Sequence, residues 1–243
     1  MTAIVIGASS GLGRALSEQL ARTGTPLLLV ASDLRDVDAL AADLNLRFGV
    51  AVRALALDLG RAPDPGARVL ESLGALPAPT ALLLAIGNSR ADDDFSLDAA
   101  AIGQLIAINL YVPLAIVHAL RSRLIETHGV IVGFGSVAGV RGRGRNVAYA
   151  AAKRGLDSLF ESLRQRHRPS ELRVQFYRLG FLSSNLTFGQ SLPLPAIDPA
   201  AAARTVVRRL RRGSGTWYLP RWWAIVALLI KALPWPLYRK LER

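Results

Sequence analysis

Continuous apolar runs of strand length recur along the chain at residues 3–6, 26–31, 51–57, 81–86, 130–134 and 174–179. Between them lie helix-length stretches rich in Ala, Leu, Arg and Glu, among them 12–22, 37–48 and 148–166. Buried strands alternating with crossover helices predict an α/β chain with a doubly wound parallel sheet covered on both faces. No repeat or low-complexity linker interrupts the rhythm. Two segments depart from it. Residues 183–199 hold three prolines and small polar residues, which predicts a long loop at the carboxyl edge of the sheet, where ligands bind in such folds. From Trp217 onward the pattern changes to tryptophans, prolines and a short apolar run. The expected organisation is one domain over residues 1–218 and an apolar helical tail over 219–243.

The apolar fraction, 51% of 243 residues, is ample for one core and excludes a disordered chain. Cysteine is absent, which excludes a disulfide scaffold, thiolate-bound zinc and a cysteine nucleophile. His118, His128 and His167 stand far apart without metal-ligand spacing, so no metal is expected. No charged and apolar leader precedes the first strand, which predicts a cytoplasmic chain. The formal charge of +12 points to an anionic partner: nucleic acid, a membrane surface or a phosphorylated substrate. Its distribution narrows the choice. From Arg204 to Arg243 there are ten basic residues and one acidic, Glu242, while the rest of the chain is nearly balanced.

The first strand runs directly into Gly7-Ala8-Ser9-Ser10-Gly11-Leu12-Gly13, and a helix follows. Glycines permit a tight turn and let backbone N–H groups of this loop approach a phosphate, with the helix N-terminus adding a positive dipole end. The position of the loop after the first strand marks it for dinucleotide binding in a Rossmann-like fold. An acid closing the second strand would pair with the ribose hydroxyls of NAD. Ala31 takes that place, Asp33 comes two residues late, and Ser32, Arg35 or Arg14 can face a 2′-phosphate, so NADP(H) is favoured over NAD(H). Asp58, closing the third strand, reads either as an acceptor for the adenine amino group or as a turn residue.

Ser136 follows the fifth strand, and Tyr149 and Lys153 share one face of the next helix at i and i+4. A free tyrosine titrates near pH 10, too high for proton transfer at neutral pH, and an ammonium one turn away stabilises its phenolate. A serine hydroxyl from the neighbouring strand end can hold the substrate oxygen beside the phenol. Tyr-x-x-x-Lys is common by chance, but Lys153 is the only lysine before residue 231 in an arginine-rich chain, which points to a role specific to lysine.

From Thr2 to about Tyr218 the sequence resembles the short-chain dehydrogenase/reductase family: the glycine loop, Asp58, Asn109, Ser136, Tyr149 and Lys153 fall in that family's order and spacing. The resemblance implies that Tyr149 donates a proton to a carbonyl oxygen, that Ser136 polarises that carbonyl, and that Lys153 binds the nicotinamide ribose and depresses the tyrosine pKa. It further implies that Asn109 holds a water relaying protons to Lys153, that Gly87 borders the cofactor, and that the Leu182 backbone and Ser184 meet the nicotinamide amide. Two motifs depart from the family pattern. Leu84-Ala85-Ile86-Gly87 stands where Asn-Asn-Ala-Gly is usual, and Leu179-Gly180 where Pro-Gly is usual.

The tail carries all four tryptophans, and its uninterrupted apolar run, 222–230, is nine residues, less than half of what spans a bilayer. Trp and Tyr with flanking Arg and Lys suit peripheral contact with the inner face of a membrane, whereas an apolar helix of this kind also suits a homo-oligomer interface. Nucleic acid is the poorer account, since the basic residues accompany an apolar helix. The tail is similar to that of the family's branch that reduces a decaprenyl-phosphoryl 2-keto-pentose. The leading expectation is an NADP(H)-dependent carbonyl reductase acting on a lipid-linked or amphiphilic ketone. The alternatives are a soluble oligomeric ketone or 3-oxoacyl reductase and a nucleotide-sensing protein without turnover. Arg141, Arg143 and Arg145, close after Ser136, either meet a substrate phosphate or lie on a solvated loop.

Overall fold

The computed structural model describes residues 2–241 apart from Ser10, Ala75 and 184–192. Seven strands form one parallel sheet: β1 (Thr2–Ile6), β2 (Leu27–Ala31), β3 (Val52–Ala56), β4 (Pro79–Leu84), β5 (Val130–Ser136), β6 (Arg173–Leu179) and β7 (Gly215–Leu219). Their order across the sheet is β3-β2-β1-β4-β5-β6-β7, so the connection direction reverses between β1 and β4. Side chains alternate between two apolar layers. Ala3, Val5, Leu27 and Leu29 pack under α1 (Gly11–Arg22), α2 (Leu34–Phe48) and α7 (Pro199–Arg209). Ile4, Ile6, Leu28 and Val30 pack under α3 (Pro65–Glu71), α5 (Val112–Glu126) and α6 (Val147–Arg166). This is the doubly wound Rossmann-like fold that the apolar runs predict.

Aspartates set several helix starts. The carboxylates of Asp33, Asp64 and Asp198 accept backbone N–H groups at the first turns of α2, α3 and α7, and Asp98 does the same for α4 (Ala99–Ile106). A π-helical turn, Ala107–Tyr111, joins α4 to α5. The continuous helical run Ala99–Glu126 has the length and hydropathy of a membrane span, yet Val112, Ile116, Leu120 and Leu124 face the sheet as core.

Two features differ from the sequence expectation. Gly215–Leu219, read as the approach to a tail, is a seventh strand pairing in parallel with β6. Residues 215–218 are only half-buried and the strand opens on Gly-Thr, so it lacks the continuous apolar run that revealed the other six. The last segment forms α8 (Trp223–Ala232) and α9 (Trp235–Tyr238), and α8 folds back against the 3-10 turn Val137–Val140 that follows β5. The basic residues after Arg204 also separate into two groups. Arg208 and Arg211 lie beside Thr23–Pro26 at the amino edge of the sheet, whereas Arg221, Lys231, Arg239 and Lys240 belong to the terminal segment.

Candidate active site

The carboxyl ends of β1, β4, β5 and β6 open into one cleft of about 980 Å³. Its floor contains Gly11 and Leu12 from the glycine turn, Ala85–Gly87 after β4, Ser136 at the end of β5, and Tyr149 and Lys153 from α6. Gly7 adopts a φ of 81°, and a Cβ there would stand 2.6 Å from the Ala85 carbonyl oxygen, so the turn needs glycine on both counts. Gly13 lies with its Cα against the Gly7 carbonyl, which lets α1 start directly beneath the turn and aim its N-terminus at the cleft. Arg14 holds the turn from outside, its Nε–H donating to the Ser9 carbonyl at 3.0 Å.

Lys153 is almost fully buried and, among the described residues, has no carboxylate beside it. Its Nζ–H groups donate to the carbonyls of Phe134 at 3.3 Å and Ile86 at 3.4 Å, both at the weak end of the range. Burial pulls the ammonium down to a pKa of about 8. It lies 5.7 Å from the centre of the Tyr149 ring. Burial pushes the Tyr149 phenol up from its ordinary value, while a side-chain hydrogen bond with Ser136 and the charge of Arg143 act in the opposite direction. The Ser136 hydroxyl also accepts the Ala138 N–H at 3.1 Å, which fixes it at the start of the 3-10 turn.

Asn109 sits in the π-helical turn, fully buried. Its Nδ2 donates to the carbonyls of Leu105 at 2.9 Å and Asn88 at 2.7 Å, and its Oδ1 accepts the Asn88 N–H at 3.3 Å. A Cβ on Gly87 would touch both Asn109 Oδ1 and Lys153 Nζ, so glycine there lets the two polar groups converge. The asparagine departures after β4 therefore leave the segment anchored, because Asn109 grips its backbone. The Gly180 of the second departure is occupied differently: the Trp223 indole packs against it where any side chain would stand. The Trp223 Nε1–H is buried without an acceptor among the described residues.

Sequence reasoning missed Asp93. Unlike the aspartate-capped helices, α6 begins at Asn146 in the left-handed region with no side-chain cap of its own. The buried carboxylate of Asp93 supplies one from the loop between β4 and α4, accepting the N–H groups of Ala148 and Tyr149, each at 3.0 Å. Its own carbonyl accepts the Val147 N–H at 3.1 Å. The backbone of Tyr149 is thus held by an acid far away in sequence, which no local spacing reveals; an aspartate run at 92–94 that is otherwise solvated was its only trace.

The remaining predicted residues separate. Leu182 lines the cleft and pairs with Ile197. Ser32 lies exposed after β2, beside Asp33, whose carboxylate is engaged in capping α2. Asp58 is exposed and accepts the Gly60 N–H at 3.0 Å, the geometry of a turn residue. Ser10 and Ser184 lie outside the described residues, as does most of the predicted loop. Arg141 is not a solvated loop residue: its guanidinium donates to the carbonyls of Ile230 at 2.8 Å and Leu233 at 2.6 Å and stacks 4.0 Å from the Tyr238 ring centre.

The cleft fits a nicotinamide dinucleotide. A glycine turn with a helix N-terminus meets phosphate, and a buried ammonium with only two long carbonyl contacts has capacity for hydroxyl partners. Comparison with known proteins agrees. The family pattern described as short chain dehydrogenase matches residues 1–191. An uncharacterised oxidoreductase of Myxococcus xanthus is 31% identical over 98% of this chain and 94% of its own. A very-long-chain 3-oxoacyl-CoA reductase of Laccaria bicolor is 25% identical over 90% of this chain and 66% of its own. Among solved structures, a short-chain dehydrogenase from Sphingobium yanoikuyae in complex with NADPH superposes with a TM-score of 0.82 at 28% identity, covering 96% of each chain.

Two measurements check this geometry. Lys153 titrates near 10.5 unfolded and near 8 folded, so between those values the unfolded chain holds more protons and stability rises with pH. From pH 7 to about pH 10, urea unfolding of the ligand-free protein is expected to gain on the order of 2 kcal/mol relative to Lys153→Met. Parallel profiles for the two proteins would mean that Lys153 is not a buried ammonium. Replacing the carboxylate in Asp93→Ala leaves two N–H groups of α6 unpaired, and unfolding free energy is expected to fall by about 1–2 kcal/mol, with Asp93→Asn intermediate.

Proposed function

The chain belongs to the short-chain dehydrogenase family and is an oxidoreductase with a nicotinamide-binding site, and from that premise we propose that it reduces a bulky amphiphilic ketone with NADPH. A bound nicotinamide cofactor supplies the hydride. The chain's own residues handle the oxygen. Tyr149 gives its phenolic proton to the carbonyl oxygen, and the Ser136 hydroxyl holds that oxygen beside the phenol. The Lys153 ammonium, protonated at neutral pH, lowers the cost of the phenolate left behind. Asn109 fixes the segment 86–88 against which Lys153 rests, and Asp93 fixes the first turn of α6.

The observation that carries the substrate class is the composition of the cleft wall. Lining the cleft with Ser136 and Tyr149 are Leu182, Trp223, Val226 and Ile230, an apolar surface supplied largely by α8, and Arg143 and Arg145 border the same cleft. An apolar chain with an anionic head matches that pairing. The Laccaria bicolor relative acts on a very-long-chain 3-oxoacyl-CoA, which is one molecule of this class. A polyprenyl-phosphoryl keto-sugar, the substrate of the branch that the terminal segment resembles, is another. The preference for NADPH rests on Ala31, which places no carboxylate at the end of β2, on the commitment of Asp33 to its helix cap, and on Arg14 and Arg35 nearby.

Titration of protein fluorescence with NADPH and NADH tests the cofactor, and at least about tenfold tighter binding of NADPH is expected, the worth of one extra charged hydrogen bond; tighter NADH binding would reverse the assignment. Tyr149→Phe is expected to bind NADPH as the parent does while losing about 10²–10⁴-fold in reduction of a long-chain 3-oxoacyl thioester. Undiminished turnover in that variant would remove Tyr149 from the chemistry.

A further inference from the structure

The helix α8 is apolar on both of its faces. Trp223, Val226, Ala227 and Ile230, spaced by three or four residues, turn inward; Trp223 and Ala227 are buried and the other two half-buried. The opposite stripe has no cover: Ile225 is 64% exposed, Leu228 66% and Leu229 62%. The exposed surface continues through Trp222, Trp235 and Leu237. A helix with this composition ordinarily lies inside protein or lipid, and an exposed apolar surface of this extent marks an interaction site. The segment is not loosely attached. Arg141 holds the last carbonyls of α8, and the Tyr238 hydroxyl donates to the Gly142 carbonyl at 2.7 Å, so the outer stripe is presented on a fixed platform.

We propose that this outer face docks on an anionic lipid surface. Charge selects the occupant. Arg221, Lys231, Arg239 and Lys240 flank the stripe, all are exposed, and no carboxylate occurs between Arg221 and Leu241. A second copy meeting the same face about a two-fold axis would bring four cations against four cations. An anionic bilayer neutralises them, and Trp222 and Trp235 sit where aromatic rings favour the headgroup level. The ten residues of α8 are too few to cross, so the helix lies in the plane of the interface. Its inner stripe walls the cleft, which places the cleft entrance at the lipid boundary. That last consequence rests on the reductase reading; the docking does not.

Flotation of the purified full chain with vesicles tests the docking without any turnover. Phosphatidylcholine mixed with phosphatidylglycerol is compared with phosphatidylcholine alone, at low and high salt. The parent is expected to float at least about tenfold more with anionic vesicles at low salt, and high salt is expected to reduce that preference. A variant combining Ile225→Ser, Leu228→Ser and Leu229→Ser is expected to stay at the bottom of the gradient. One combining Lys231→Glu, Arg239→Glu and Lys240→Glu is expected to lose the anionic preference. Both sets lie outside the cleft wall, and retained NADPH binding shows that each variant is folded. Absence of parent flotation, or unchanged flotation of the serine variant, overturns the proposal. A parent oligomer that the serine variant dissolves, with neither protein floating, overturns it as well and assigns the face to a second copy.

Discussion

A buried ammonium without a carboxylate must be surrounded by oxygens, and Lys153 imposes that condition on the whole carboxyl edge of the sheet. Among the described residues the Phe134 carbonyl at the end of β5 and the Ile86 carbonyl just past β4 accept from it, so both strand ends converge on α6. Gly87 has to lack a side chain for Asn109 Oδ1 to reach the same point. The π-helical turn brings Asn109 there while its amide takes up the Leu105 carbonyl. Together they hold a positive charge, lowered to a pKa of about 8 by burial, one helical turn from a phenol. The same burial that disfavours the ammonium also disfavours the phenolate, and each charge relieves the other when both are present.

What the sequence reveals here follows the range of the interactions involved. The inner strands β1, β2, β4, β5 and β6 were legible because both faces of a central parallel strand are covered, leaving continuous apolar runs, and the edge strand β3 because its residues are apolar apart from Arg53. The edge strand β7, half-buried with Trp217 and Tyr218, was hidden for the complementary reason. Tyr149 and Lys153 were legible because helical spacing fixes which face they share. Asp93 was not, because its carboxylate serves a helix more than fifty residues away, and only the tertiary path joins them. Asp33 and Asp58 each stand near a strand end where a cofactor contact is expected, and each carboxylate also accepts a local backbone N–H.

The terminal segment shows how a basic, apolar tail becomes part of a site. Arg141 was a candidate for an anion because it follows Ser136 in a glycine-rich stretch; instead its charge lies against the carbonyl end of α8, where the helix dipole and unpaired carbonyls favour a cation. That contact, with the Tyr238 ring stacked on the guanidinium, converts a ten-residue helix that is marginal alone into a fixed wall. Gly180 completes the seat, since any side chain there would displace the Trp223 indole. The departure from a Pro-Gly pair at 179–180 keeps the glycine and drops the proline, which is consistent with the glycine being the member under steric demand. A helix held this way from its inner side has no need of its outer side for folding. The apolar character of Ile225, Leu228 and Leu229 therefore calls for a partner outside the fold, and the cations around them restrict what that partner is.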